Sequence, residues 1–337
     1  MRFIRNTVVF AMLMTLSLRL GAQDPQYSQY YASPLLIAPS FAGNSLGSRA
    51  FVSYRDQWAK LPGSFVTYSF AIDNNFYSLN SGLGLVATRD VAGSAKLGTT
   101  TLTGLYSYRF NIDDNWRIRP GISFTLAQRS VQFAKAVFPD QISQTGIDPS
   151  TIEQSTPPYN YNDAGSSVVV YNRQLWVGVS VEHLLRPNTS FARLNARTPM
   201  KWSQFGGINF PMKNRVGKVP EVISVNYLYK MSANFQQIDI GANWYRAPLL
   251  LGIAWRGLPN YKYTDALIFT TGIAFNNIAF GYSYDFTLSK LGPGTGGSHE
   301  VTLSISFNEG GKSNRKGAIP CPDVVKFRMF GDKESFR

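Results

Sequence analysis

The feature of this sequence that most constrains its fold is a two-residue alternation of apolar and polar side chains in long segments. In one such segment Ile118, Ile122 and Phe124 take alternate positions, and Arg119 and Ser123 take the positions of the other parity. Successive side chains of a β-strand point to opposite faces, so this pattern predicts a strand with one apolar and one polar face. Because helix signals are scarce after the first residues, the chain is expected to be all-β.

The alternation recurs often enough to predict fourteen strands, most of them 9–13 residues long. Soluble strands usually have five or six residues, whereas a tilted strand needs about 9–11 to cross a bilayer. A secreted β-sandwich also alternates, because one face of each sheet is buried, and it is the soluble alternative. We predict a transmembrane antiparallel β-barrel over residues 50–308, which would have the even strand number of bacterial barrels. The predicted strands are 50–57, 64–73, 81–90, 98–110, 116–130, 164–172, 174–183, 202–211, 219–230, 235–246, 248–257, 265–276, 278–287 and 299–308.

The connections between these strands support the barrel. If the first strand starts in the periplasm, the two longest connections, 131–163 and 184–201, both fall on the extracellular side, and both termini are periplasmic. Binding residues concentrate on long loops held by a rigid scaffold. The alternative for the first loop is that it folds into the lumen as a constriction. The candidate partner-binding residues are Phe133, Phe138, Ile142, Ile147, Ile152, Tyr159 and Tyr161.

Three further segments flank the predicted barrel. Residues 1–22 read as a cleaved signal peptide, with two early arginines, a short apolar run and small residues at the end. Residues 23–49 are expected to form a periplasmic or lumenal segment. Residues 309–337 are expected to form a basic periplasmic tail that holds the single cysteine, Cys321, so no disulfide within the chain is possible.

The sequence contains no pattern for catalysis, metal binding or a cofactor. It has two histidines, His183 and His299, and lacks the phosphate-loop, H-E-x-x-H and EF-hand patterns. We therefore predict a protein that is not an enzyme and has no cofactor. The enzymatic alternative is an outer-membrane hydrolase, which would need a Ser or Asp beside one of these histidines.

The chain has a formal net charge of +13, but its basic residues are scattered rather than grouped as a nucleic-acid site requires. Arg109, Arg119, Arg129 and Lys230 fall on the predicted lumen face and predict a basic lumen that favours anions. Lipopolysaccharide phosphates are the other anions within reach, so the expected partners include the outer membrane and exclude nucleic acid. The opposite face should meet lipid, and arginine should therefore be tolerated less well at Phe280 than at Ser283, on the other face of the same strand.

Several short motifs near the start of the chain carry a resemblance. The sequence reads Asp-Pro-Gln-Tyr-Ser-Gln-Tyr-Tyr from residue 24, and Tyr-Arg-Asp-Gln-Trp from residue 54. With the pieces between and after them, these motifs resemble the opening of the PorP/SprF family of outer-membrane proteins of the type IX secretion system in Bacteroidetes-type bacteria. The family usually has Asn-Pro-Ala where Ala38 and Ser40 flank Pro39 here. The motif residues are Pro25, Gln26, Ser28, Gln29, Tyr30, Pro39, Phe41, Ala42, Gly43, Arg55, Gln57, Trp58, Pro62 and Gly63.

The resemblance implies a multi-pass barrel of the cell outer membrane that works beside the secretion and gliding-motility machinery. Family members assist the export or surface retention of cargo proteins through the C-terminal sorting domains of the cargo. The implied partners are type IX secretion components and one secreted cargo protein. The alternative function is a passive pore or a lipid-like uptake channel of the same strand number.

Overall fold

The structure is a computed structural model, and its strands form one closed barrel. Residues described are 24–45, 47–93, 96–131, 142–143, 146–147, 157–190, 196–212, 221–258, 264–275, 277–290 and 292–307. The fourteen barrel strands are β1 (Ser48–Gln57), β2 (Phe65–Phe76), β3 (Ser81–Ala92), β4 (Leu97–Tyr108), β5 (Arg117–Ser130), β6 (Tyr159–Tyr171), β7 (Leu175–Glu182), β8 (Lys201–Met212), β9 (Glu221–Ser232), β10 (Phe235–Arg246), β11 (Leu249–Gly257), β12 (Thr264–Phe275), β13 (Ile278–Thr287) and β14 (Ser298–Phe307). Each strand pairs antiparallel with its neighbours in the chain, and β14 pairs with β1, which closes the barrel.

The observed strands confirm the predicted barrel. Most boundaries agree with the sequence pattern within a few residues, and the largest difference is at β6, which begins at Tyr159 instead of residue 164. Among the described residues, three two-residue strands lie outside the fourteen, at Phe110–Asn111, Ile142–Ser143 and Gly146–Ile147. Within the described residues, no helix has the length and apolar character needed to cross a membrane.

The two faces of the barrel are those that the alternation predicts. On β13, Phe280 points outward and is 47% exposed, whereas Ser283 points inward and is fully buried. On β5, Ile122 and Phe124 point outward, whereas Arg119 points into the lumen and is buried. An apolar exterior around a polar interior is the arrangement of a barrel whose outer surface contacts lipid.

The connections at the two ends of the barrel differ in length. The long-loop end carries the connections 58–64, 93–96, 131–158, 183–200, 233–234, 258–263 and 288–297. The short-turn end carries 77–80, 109–116, 172–174, 213–220, 247–248 and 276–277, and the first and last strands, β1 and β14, respectively begin and end there.

The described residues before β1, 24–45 and 47, pass through the lumen and are called the plug below. Asp24 lies at the long-loop end, where it contacts Lys201 at the start of β8. The plug then descends to the short-turn end, where the side chain of Asn75 donates to the carbonyl oxygen of Ser45. Asp24 therefore lies at the opposite end of the barrel from the first residue of β1, in line with the lumenal option for residues 23–49. The predicted tail, 309–337, lies outside the described residues.

The lower half of the plug packs into an apolar core inside the barrel. Phe41 is fully buried, and its ring centroid lies 5.9 Å from that of Trp176 and 5.3 Å from that of Phe205. The plug backbone also approaches the wall closely at Gly43, which has a positive φ of 63°, and at Gly82. A Cβ at Gly82 would lie 2.1 Å from the carbonyl oxygen of Ala42, so only glycine permits this contact.

Candidate functional site

Five buried charged residues of the wall hold the upper part of the plug and are called the clamp. Arg55 of β1 bonds Asp285 of β13 at 2.8 Å and Glu300 of β14 at 3.1 Å. Arg256 of β11 bonds the same Asp285 at 2.9 Å and Asp239 of β10 at 3.1 Å. All five side chains are almost fully buried, so each charge depends on its partners in place of water.

The clamp binds backbone and side-chain groups of residues 27–29 of the plug. The Ser28 amide donates to Glu300 Oε2 at 2.7 Å, and the Ser28 hydroxyl donates to Asp285 Oδ2 at 2.7 Å. The Gln29 amide donates to Glu300 Oε1, and Arg256 donates to the carbonyl oxygen of Tyr27. Hydrogen bonds to ionised groups are stronger than those between neutral groups, so the clamp fixes this part of the plug at one height in the lumen.

Neutral groups of other strands continue the attachment. Tyr27 shares a hydrogen bond with Ser69 of β2 at 2.8 Å, and the Tyr30 hydroxyl donates to Asn226 of β9. Further down, Arg119 donates to the carbonyl oxygen of Gly43 at 3.2 Å. Strands from all sides of the barrel therefore contact the plug, and none of these contacts depends on regular secondary structure in it.

The lumen is not the basic channel that the sequence predicts. Arg119 and Lys230 do lie on inward positions, and Arg129 lines a cavity described below, but Arg109 lies in the turn after β4 and bonds Asn80. Carboxylates balance the buried arginines: Arg49 bonds Asp73, and the clamp pairs two arginines with three acids. The predicted basic lumen took account of the basic residues alone, whereas the acidic residues that face them neutralise much of their charge.

At the long-loop end, a second group of charges holds the start of the plug. Asp24 accepts from Lys201 at 2.8 Å and from His183 Nε2 at 3.1 Å. His183 Nδ1 lies 2.5 Å from Asp163 of β6, and Lys201 also bonds Glu182 at 2.7 Å. These five residues are called the mouth network. His183, which bonds two of the carboxylates, has a positive φ of 60°, a conformation that costs energy for a residue other than glycine.

The mouth network shifts the pKa values of its members. Burial alone would lower the pKa of His183, but its hydrogen bonds with Asp163 and Asp24 outweigh burial and raise the pKa to about 10. Burial alone would raise the pKa of Asp24, but the adjacent charges of Lys201 and His183 lower it well below its usual range. His183 is therefore a charged imidazolium between two carboxylates at neutral pH.

Three members of the mouth network, Asp24, Glu182 and His183, have ligand atoms within 4.8 Å of one another, close enough to share a metal ion. However, the ammonium group of Lys201 bonds both carboxylates, and His183 bonds a carboxylate with each ring nitrogen. A metal ion would have to displace a cation and a proton that already neutralise these acids. The arrangement fits a network of ion pairs better than a metal site.

A cavity of about 580 Å³ lies beside the plug in the upper half of the lumen. Its floor is aliphatic and includes Leu35, Val86 and Leu105, and the mouth network and Arg129 border its upper part. Inward-facing threonines of β2, β3, β4 and β5 form one wall. Those that line the cavity are Thr67, Thr88, Thr99, Thr101, Thr103 and Thr125.

The structure describes only part of the predicted partner-binding set. Phe133, Phe138 and Ile152 lie outside the described residues, and Ile142 and Ile147 belong to a small hairpin within the connection 131–158. The last two candidates belong to β6 instead of the loop: Tyr159 is 37% exposed, and Tyr161 lines the cavity and stacks on Tyr159.

The family-motif residues, in contrast, meet in space. Ser28 and Gln29 of the plug bond the clamp, to which Arg55 belongs, and Phe41, Ala42 and Gly43 form the lower contacts of the plug. Gln57 and Trp58 line the cavity at the long-loop end, whereas Pro62 and Gly63 turn the chain between β1 and β2. Sequence reasoning missed Asp239, Arg256, Asp285 and Glu300, because each lies on a polar strand face that resembles an ordinary lumen face.

Neither histidine has the surroundings of a catalytic residue. The ring nitrogens of His183 bond only to carboxylates among the described contacts, and His299 Nδ1 lies 2.9 Å from the Tyr282 hydroxyl. No serine hydroxyl bonds either imidazole in the described part of the chain, so the hydrolase alternative gains no support from this geometry.

Comparisons with known proteins place the sequence in a family. The sequence pattern of the family described as type IX secretion system membrane protein PorP/SprF matches residues 20–305. None of the curated proteins matches the sequence.

Several solved structures are similar in fold. The outer membrane protein Omp33 of Acinetobacter baumannii has 7% identity and a TM-score of 0.44, and the match covers 78% of this chain and 99% of that one. The monoaromatic hydrocarbon channel CymD has 11% identity and a TM-score of 0.44, with 82% and 93% covered. A FadL homologue of Pseudomonas aeruginosa has 12% identity and a TM-score of 0.39, with 78% and 90% covered.

Proposed function

Because the chain belongs to the PorP/SprF family of type IX secretion system membrane proteins, we propose that it assists the export or surface retention of a secreted cargo protein. The chain is a multi-pass β-barrel of the outer membrane. In our proposal it is not an enzyme, its partners are secretion components and one cargo, and it recognises the C-terminal sorting domain of that cargo. Its outward face in the outer leaflet would meet lipopolysaccharide.

The observation that supports this role is the filled lumen. A pore needs a continuous polar channel, but the plug runs from one end of the barrel to the other. Both the acids and the arginines of the clamp bond it. The apolar packing of Phe41 against Trp176 and Phe205 closes the lower half. A barrel whose interior is occupied by its own chain suits a partner-holding role better than solute passage.

We place the recognition surface at the long-loop end. The connections 131–158 and 183–200 are the two longest, and the aromatic pair Tyr159 and Tyr161 lies at the base of the first. Aromatic side chains supply much of the contact area of protein interfaces. Phe133, Phe138, Ile142, Ile147 and Ile152 remain our candidates within the loop.

Deleting residues 140–158 tests this role in the producing bacterium. We expect the barrel to fold, because the deletion removes only a connection, and the cargo to be released into the medium or retained inside the cell. Folding is checked by resistance of the barrel to denaturation by detergent without heating. A matched control shortens the connection 288–297 at the same end. Normal display of the cargo after complete removal of this protein would rule out the proposed function.

The channel alternative is tested in planar bilayers. A plugged barrel should show little stable conductance for small ions, and a variant that lacks residues 24–44 should conduct. Large, stable conductance by the intact chain would favour the channel.

A further inference from the structure

The lumen binds polypeptide backbone with short hydroxyl side chains of its strands. Ser107 of β4 donates to the carbonyl oxygen of Ala42 at 2.8 Å, and Ser180 of β7 donates to that of Ile37 at 3.2 Å. The amide of Ser40 donates to the hydroxyl of Ser167 at 2.8 Å. The plug folds into two short 3-10 helices, Pro34–Leu36 and Pro39–Phe41, and strand hydroxyls satisfy three backbone groups in and beside them.

The cavity beside the plug presents the same chemistry. Thr88 and Thr101 are cross-strand partners, and so are Thr103 and Thr125, whose hydroxyls lie 2.9 Å apart. Adjacent strands lie about 4.8 Å apart, so the threonines form a patch that extends over several strands. A hydroxyl both donates and accepts, and it can pair with either group of a peptide bond.

Size and charge restrict what this cavity can take. Its volume of about 580 Å³ is that of a pocket for a small ligand or a few residues of peptide. Asp90 and Arg129 face the cavity with opposite charges, and the acids of the mouth network are paired with Lys201 and His183. Charges of both signs at the opening do not select a phosphate or a free cation. An aliphatic floor below hydroxyls suits a neutral backbone with apolar side chains.

We propose that the cavity is a binding site for an extended peptide segment of a protein partner, which enters from the long-loop end. The threonines of β3, β4 and β5 pair with its backbone, and its aliphatic side chains lie against Leu35, Val86 and Leu105. The identity of the partner as the cargo rests on the proposed function. The existence of a peptide site is independent of the proposed function, because it is argued from the cavity and from the bonds between the lumen and the plug.

The test places a photoreactive benzoylphenylalanine at Thr101, on the cavity wall, and in a second variant at Leu102. Leu102 is the next residue of β4, points outward and is 44% exposed, so it serves as a matched control on the lipid face. The full chain is irradiated in the producing bacterium, and mass spectrometry identifies the adducts. We expect a peptide of another protein at position 101 and only lipid at position 102. Adducts at position 101 only with lipid, with glycan or with this chain itself, or no adduct at all, would overturn the proposal.

A second measurement does not depend on the photoreaction. Thr101→Trp should fill part of the cavity and lower the amount of partner peptide recovered with the purified barrel at least about tenfold, because the indole would occupy space that the peptide needs. Thr101→Ser keeps the hydroxyl and should restore recovery, and Leu102→Trp should leave it unchanged. Equal recovery from Thr101→Trp and Leu102→Trp would contradict binding in the cavity.

The two proposals fail in different ways. If the crosslinked peptide comes from a protein other than the cargo, and the cargo is displayed without this barrel, the peptide site stands and the proposed function fails. If display of the cargo requires the barrel but position 101 gives no adduct with another protein, the function stands and the peptide site fails.

Discussion

The two sides of the lumen treat the plug differently. On one side β1, β11, β13 and β14 carry arginines and acids that reach the plug and bond it directly. On the other side β3, β4 and β5 carry short hydroxyl side chains, and at the same height these strands border a cavity. The difference indicates a division of roles in the upper half of the lumen. There the first wall fixes the plug, whereas the second, which bonds the plug only lower down through Ser107 and Arg119, borders space for a second molecule.

The largest expected effect is on the clamp side. Arg256→Ala would leave Asp239 and Asp285 buried without one of their cationic partners, and removing one member of a buried ion pair costs about 3–5 kcal/mol. The free energy of unfolding can be measured by urea titration of the barrel in lipid vesicles, with tryptophan fluorescence as the signal. Thr99→Ala, on the cavity side, is the control and should cost far less. Similar losses in both variants would mean that the two walls do not differ.

The outer face gives the next largest effect. Phe280→Arg should cost about 2–4 kcal/mol if this residue lies at the middle of the bilayer. The sequence alone predicts that Ser283→Arg costs much less than Phe280→Arg, but Ser283 is fully buried and accepts a hydrogen bond from Gln29 of the plug. We therefore expect both arginines to destabilise, Phe280→Arg by contact with lipid and Ser283→Arg by displacing the plug. Removing residues 24–44 should rescue Ser283→Arg and leave Phe280→Arg destabilised; rescue of neither would count against a packed lumen.

These two variants show how far sequence reasoning reaches. Alternation depends on local geometry, so it correctly predicts fourteen strands, their outward faces and the barrel. It cannot distinguish a polar face that meets water from one that meets another part of the chain, so it predicts a lumenal segment only as one of two options for residues 23–49. A usable signal was present in the inward positions occupied by Phe51, Trp176, Phe205 and Leu228, which a water-filled lumen does not explain.

The sequence predicts only those residues of the candidate site that belong to the family motifs. Ser28 and Arg55 belong to the motifs that resemble the family, and the structure shows them in contact at 2.9 Å. Asp285 and Glu300 complete the same clamp from more than 200 residues away in the chain. No local pattern links positions so distant, so their pairing follows only from the closure of the barrel.

A smaller effect on the attachment of the plug is expected at the mouth network. Unlike the clamp, this network should respond to pH in a measurable range. The pKa of His183 in the folded chain, about 10, lies above its usual value near 6.5, so its stabilising contribution is complete below about pH 6.5 and is lost as the pH rises through 10. A spin label at Gln26 should gain mobility between pH 7 and 10, whereas a label at Ala32, below the clamp, should not. His183→Gln should abolish the pH dependence. A label at Gln26 that is equally immobile at both pH values would show that the mouth network does not hold the plug.

The smallest change in the free energy of unfolding is predicted within β4, where two residues that both face the lumen can be compared. Ser107 is fully buried, donates to Ala42 and accepts from Arg119 at 2.8 Å, so Ser107→Ala should cost about 1–3 kcal/mol. Thr101 borders the cavity and is only partly buried, so Thr101→Val, which keeps the shape and removes the hydroxyl, should change the free energy of unfolding by less than about 0.5 kcal/mol. Both are read from the same urea titration. A loss at Thr101 as large as that at Ser107 would mean that the threonine wall already supports the fold, and the reason to regard it as a surface for a second molecule would disappear.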